Sequence, residues 1–130
     1  RAGNWDLGQV VGHLVEWMRF PMDGFPKRGI VVRGLMFCLR TTVGASQFRK
    51  VLKTRRFPSG GPTVRETIPQ TGIDATAALE SIKSFVARVK VYDGKIEPSP
   101  FFGPMTRDEW IQLNLIHCAH HLSFLVPKSS

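Results

Sequence analysis

Three of the four histidines fall within five residues near the C-terminus, at His117, His120 and His121. His117 and His121 are four apart, so on a helix they point the same way, about one turn from each other. Two imidazoles at that spacing can hold one transition-metal ion. The remaining histidine, His13, is remote in sequence. If folding sets His13 opposite the pair, the chain carries a three-histidine site. Neutral imidazoles with an open coordination position form a catalytic type of metal centre rather than a closed structural one. Zinc, nickel or iron would suit such ligands. The metal would lower the pKa of a bound water or thiol toward neutrality. On a helical wheel Trp110, Leu113 and Phe124 centre a buried face that contains His117, with His120 and His121 flanking it on opposite sides. His117, His121 and His13 are therefore the ligand candidates, and His120 stands behind them or serves as an alternate ligand. Ring nitrogens within roughly 4 Å of one another would suit shared coordination. The competing reading is a set of hydrogen-bonded core histidines, because burying imidazoles is costly unless each has a partner.

Other residues offer less. Glu16 follows His13 by three and either orients an imidazole or is a surface carboxylate. Ser123 has no base near it in sequence, and Gly60-Gly61 lacks the Lys-Ser/Thr of a phosphate loop. Asp23 and Asp93 sit in turns, where local hydrogen bonding explains them.

Helices must position these groups. Asp6 and Gln9 have capping-box spacing, and Leu7, Val10, Val11, Leu14, Trp17 and Met18 follow at helical period, with Phe20-Pro21 and the following Gly24-Phe25-Pro26 expected to stop the helix. A second helix is expected over about Lys27 to Thr42, with Ile30 to Leu39 as a core run, interrupted by Gly44. A short basic helix from about Ser46 to Lys53 follows, then a long loop through Phe57-Pro58-Ser59-Gly60-Gly61-Pro62 to Gly72. Asp74 caps a third long helix with the stripe Ala78, Leu79, Ile82, Phe85, Val86 and Val89, and Ile73 just before it is a candidate staple. Pro98 to Pro104 is a rigid apolar loop, and Thr106 with Glu109 opens the last helix. No segment alternates over a strand's length. The fold class is all-α, one bundle domain over residues 1–130, with a long crossover.

Composition sets the limits. At 130 residues with 42% hydrophobic and 22% charged residues, the chain fits one globular domain. Its longest apolar run is broken by Arg33 and Gly34 and is too short for a membrane span. The net charge of +8 permits salt-sensitive attraction to anionic surfaces. No nucleic-acid motif accompanies it, and Arg49, Lys50, Lys53, Arg55 and Arg56 have no interleaved stacking aromatics. Cys38 and Cys118 lie in apolar helical patterns, and buried reduced thiols in a cytoplasmic setting are expected. A disulfide between them stays open. The first residue is Arg1, not Met, so native residues, a signal peptide or a first helix are expected upstream.

The segment Trp5-Asp-Leu-Gly-Gln-Val-Val-Gly-His13-Leu, taken with His117-x-x-His120-His121, resembles the DinB/YfiT-like superfamily of metal-binding four-helix bundles. Met22-Asp-Gly-Phe-Pro26 and Pro100-Phe-Phe-Gly-Pro-Met-Thr-x-x-Glu-Trp110 resemble the DUF1569 family of uncharacterised bacterial proteins. The likeness covers both ends of the chain well and the middle poorly. It implies an up-down-down-up bundle, metal ligands at His13, His117 and His121, and a homodimer. It also implies a metal-dependent hydrolase or a transferase using a small-molecule thiol. Two features depart from the family pattern. Ser99 stands where many sequences of the resembled family carry a histidine, and the helix that usually precedes the Trp-x-x-Gly-Gln segment is largely missing. Either the Lys27–Lys53 region supplies a fourth helix, or a partner chain covers the gap. The alternative function is a non-enzymatic interaction module with structural histidines and a basic partner-binding surface.

Overall fold

A computed structural model of the protein describes residues 5–58, 67–69 and 71–125. Among the described residues the protein is all-α: α1 (Leu7–Asp23), α2 (Ile30–Leu39), a π-helical turn (Arg40–Gly44), α3 (Ala45–Thr54), α4 (Ala75–Val91) and α5 (Arg107–Leu122). The central part of the expected Pro/Gly loop, residues 59–66, lies outside the described residues.

Caps written in the sequence set the starts of three helices. Asp6 accepts from the Gln9 N–H at 2.9 Å, and the Gln9 side chain accepts from the Asp6 N–H at 3.1 Å. Thr106 and Glu109 make the same reciprocal pair at α5. Asp74 accepts from the Ala77 N–H at 2.8 Å at the start of α4. Each cap satisfies donors that the first helical turn leaves open. At the far end of α4, Arg107 donates to the Val89 carbonyl at 2.9 Å, tying the start of α5 to the last turn of α4.

Two boundaries depart from expectation. Phe20-Pro21 does not stop α1, which continues to Asp23 and ends at the expected Gly24-Phe25-Pro26 stop. The Gly24 N–H donates to the Phe20 carbonyl at 2.8 Å and spans the proline. Gly24 then turns the chain at a φ of 95°, where glycine pays no steric cost. Gly44 does not interrupt the second helical stretch either. The chain passes through the π turn directly into α3. Glycine is needed there for space, since a Cβ at Gly44 would lie 1.9 Å from the Phe101 carbonyl oxygen.

Two apolar clusters meet on α5. In the first, Val10, Leu14, Met18 and Met22 of α1 pack with Phe85 of α4 and Trp110. In the second, Phe48 and Val51 of α3 pack with Phe102, Leu113 and Ile116. Trp17 and Met105 touch both. The stripe of α4 is narrower than its periodicity implies: Ala78 and Phe85 are buried, whereas Leu79 and Val86 are exposed. At the end of α5, Phe124 is exposed instead of lying at the centre of the buried face. His117 is the last buried residue of that face, and Phe124 lies beyond the helix, which stops at Leu122.

The Ile30–Leu39 stretch is a helix but not a core helix. None of its residues is buried. Cys38 is accordingly exposed, Cys118 is only partly buried, and both thiols are free. Periodicity identifies a face that can be buried; it cannot supply the element that buries it.

Ile73 packs against α1, where a Cβ at Gly8 would lie 2.3 Å from its carbonyl oxygen. Gly8→Ala is expected to destabilise the protein by about 1–3 kcal/mol through overpacking. Gly34→Ala, in α2 with no atom within 4 Å of the added methyl, should be neutral or stabilising by up to about 1 kcal/mol. Urea unfolding of the two variants checks the contrast, and equal effects would refute it.

Candidate metal centre

His13 sits on the buried side of α1, seven residues beyond the Asp6 cap, and is 3% exposed. His117 and His121 occupy successive turns of α5, the first fully buried and the second partly. Packing of α1 against α5 brings the three rings together. The Nε2 atoms of His13 and His117 are 3.4 Å apart, and those of His117 and His121 are 2.9 Å apart. One ring nitrogen from each of the three lies within 4.8 Å of the others. Two nitrogens bound tetrahedrally at about 2.1 Å to a shared zinc ion would be about 3.4 Å apart. The two close pairs are at that scale; the widest spacing exceeds the roughly 4 Å expected from shared coordination.

Hydrogen bonding settles one tautomer. The His13 Nδ1–H donates to the Thr67 carbonyl at 2.8 Å, so its Nε2 presents a lone pair to the cluster. A histidine ligand oriented by a carbonyl behind it is a common arrangement at metal sites. His117 differs. Its Nδ1 is buried with no hydrogen-bond partner among the described residues. In the metal-free chain, one proton between His117 and His121 can serve their 2.9 Å contact. His13 and His121 both face the same His117 Nε2, which cannot donate one proton fully to each. A cation accepting all three lone pairs would resolve that competition, and the three histidines could hold a metal ion.

Burial keeps the rings neutral. It pushes the His117 pKa down to about 2, with help from the neighbouring His121, His13 and His120. It pushes His121 down to about 4, aided by His13 and His120. His13 is also lowered by burial, against an opposing effect from the Thr67 carbonyl. Neutral imidazole is the form that ligates metals.

Aromatic rings enclose the site. The Trp5 ring stacks on His121 with centroids 6.0 Å apart and lies 5.1 Å from the His13 ring. Trp17 and Phe57 lie 4.7 and 4.8 Å from the His117 ring. Trp17 follows His13 by four residues and so shares its helix face, whereas no spacing in the sequence marks Phe57 as a wall of the site. The Thr67 carbonyl has no sequence signal, because every residue carries one. His120 stands to the side, with its ring 5.2 Å from His121 and near Phe57 and Phe124. It is outside the converging trio. Glu16 pairs with Arg19 at 2.8 Å and orients no histidine. Ser99 accepts from the N–H groups of Phe101 and Phe102 and shapes the apolar loop.

Fold and site together define an all-α protein with a buried three-histidine cluster able to hold a metal ion. The family profile described as a protein of unknown function, DUF1569, matches residues 1–128, and the chain belongs to that family. Comparison with curated proteins and with solved structures gave no match.

The depressed histidine pKa values have a consequence for stability. The unfolded chain takes up protons near the ordinary value of 6.5, whereas folded His121 does so only near 4. Between those values the unfolded state binds more protons, so stability falls as pH falls. The metal-free protein should hold full histidine-linked stability above about pH 6.5 and lose it progressively toward pH 4. Thermal melts across that range should show the slope, and His121→Gln should reduce it. A slope unchanged in the variant would contradict the assignment.

Proposed function

We propose that this protein binds one divalent transition-metal ion, zinc, nickel or iron, through His13, His117 and His121. We propose further that it acts as a metal-dependent hydrolase or small-molecule-thiol transferase on a DinB/YfiT-like bundle. The observation that carries the reading is the convergence of three ring nitrogens inside an aromatic-walled, desolvated site.

When bound, the metal would lower the pKa of a water or thiol at an open coordination position. The remaining work falls to the chain. His13 is held by the Thr67 carbonyl with its lone pair directed at the cluster. His117 and His121 are placed by one turn of α5. Trp5, stacked on the partly exposed His121, screens that ring from solvent. Trp17 separates the site from a neighbouring apolar cavity of about 320 Å³, which Phe102, Met105 and Trp110 also line. An apolar compartment of this size fits the body of a small molecule. His120, beside His121, is proposed as a supporting group or alternate ligand. The free thiols accord with a reducing, cytoplasmic setting.

A second reading, a non-enzymatic module with structural histidines, draws on the 2.9 Å His117–His121 contact, which can be a hydrogen bond in the absence of metal. Metal analysis separates the two. Protein purified without a histidine tag should carry about one metal ion per chain. Added metal at a thousandfold over Kd should stabilise it by about 4 kcal/mol. His117→Ala should abolish both effects, while His120→Ala should retain them. A chain with neither bound metal nor a metal-induced rise in melting temperature would leave only the structural reading.

A further inference from the structure

The second helix is the least accounted-for part of the molecule. Among the helical elements, α2 packs only on the π turn that follows it. The apolar cavity lies along its inner side, with Val32 and Met36 on one wall and Trp17, Trp110 and Leu113 on the other. Its outer side is apolar and open. Ile30 is 84% exposed, Val31 82%, Leu35 60% and Phe37 56%. With Gly34 and the exposed Cys38, these residues span roughly 160° of the helical wheel without a charge.

The electrostatic setting is one-sided. Residues 24–58 contain nine lysines and arginines and no Asp or Glu. Lys27 precedes α2, and Arg33 and Arg40 lie seven apart along one flank of its apolar face. On α3, Arg49, Lys50 and Lys53 are exposed. A short helix with an uncharged apolar face and cationic surroundings suits the boundary between anionic headgroups and acyl chains. Long cationic side chains can reach phosphates while their stems and the apolar face stay buried.

We propose that α2 is a peripheral membrane-docking element that seats its Ile30–Val31–Leu35–Phe37 face in an anionic bilayer surface. Lys27, Arg33 and Arg40 contact lipid phosphates. A fluid surface accepts a convex, isolated helix without a preformed groove. A second copy is disfavoured as the occupant, since apposing two such faces would bring two acid-free cationic segments together. Docking is independent of the histidine cluster and does not rest on metal binding.

Co-sedimentation with vesicles tests this. The protein should bind vesicles of mixed phosphatidylcholine and phosphatidylglycerol about tenfold or more tightly than phosphatidylcholine alone, and added salt should weaken the binding. Val31→Asp and Leu35→Asp change exposed positions, so the circular dichroism spectrum and melting temperature should be retained while vesicle affinity falls about tenfold or more. Reversing charge with Arg33→Glu and Arg40→Glu should remove the preference for anionic lipid. Equal binding to both vesicle types, full binding by the folded Leu35→Asp variant, or a stable dimer that buries α2 and ignores vesicles would each overturn the proposal.

Discussion

The close contact of three uncharged imidazoles is the constraint on which the centre of this molecule depends. Ring nitrogens 2.9 and 3.4 Å apart tolerate one another only while the rings are neutral. Desolvation supplies that neutrality, and the surrounding helices supply the desolvation. Val10 and Leu14 of α1, packed with Trp110 of α5, hold the two helices close enough for His13 to meet His117. A carbonyl at Thr67, between α3 and α4 in the chain, then selects the His13 tautomer. Losing any one of these would loosen the contact or let water reach the rings.

Helix α5 carries the greatest share of this arrangement. One side of it packs with α1 and α4, and another with α3 and Phe102. Trp17, which touches both clusters, also packs against the His117 ring. The site is thus continuous with the core. Close backbone approaches support it at a distance: Ile73 against Gly8, and Phe101 against Gly44. Both glycines are there because a neighbouring carbonyl occupies the space a side chain would need.

Two apolar helical stretches met opposite fates. The α1 stripe and the Ile30–Leu39 run both have the composition of a core, and only the first is buried. Hydrophobic pattern reports what a segment can do, and burial needs a complementary surface at the right place. α1 has one in α4 and α5, whereas among the described helical elements α2 packs only on its own continuation. The same reasoning covers Leu79 and Val86, which have the spacing of a buried stripe but lie exposed beside the buried Phe85.

What the sequence determined by itself is local. The Asp6–Gln9 and Thr106–Glu109 boxes, the Asp74 cap and the i,i+4 placement of His117 and His121 depend on contacts within a few residues. His13, the one histidine elsewhere in the chain, was already their candidate partner. The crossing of α1 over α5 that makes His13 a neighbour was decided by tertiary structure, along with the Thr67 carbonyl behind it and the Trp5, Trp17 and Phe57 walls. Tertiary structure also set His120 aside and left α2 exposed. The physical reason is the same throughout. Caps and helical spacing are short-range geometry, readable from residue order. Burial, the neutrality it imposes and the meeting of distant rings depend on how separate helices share one core.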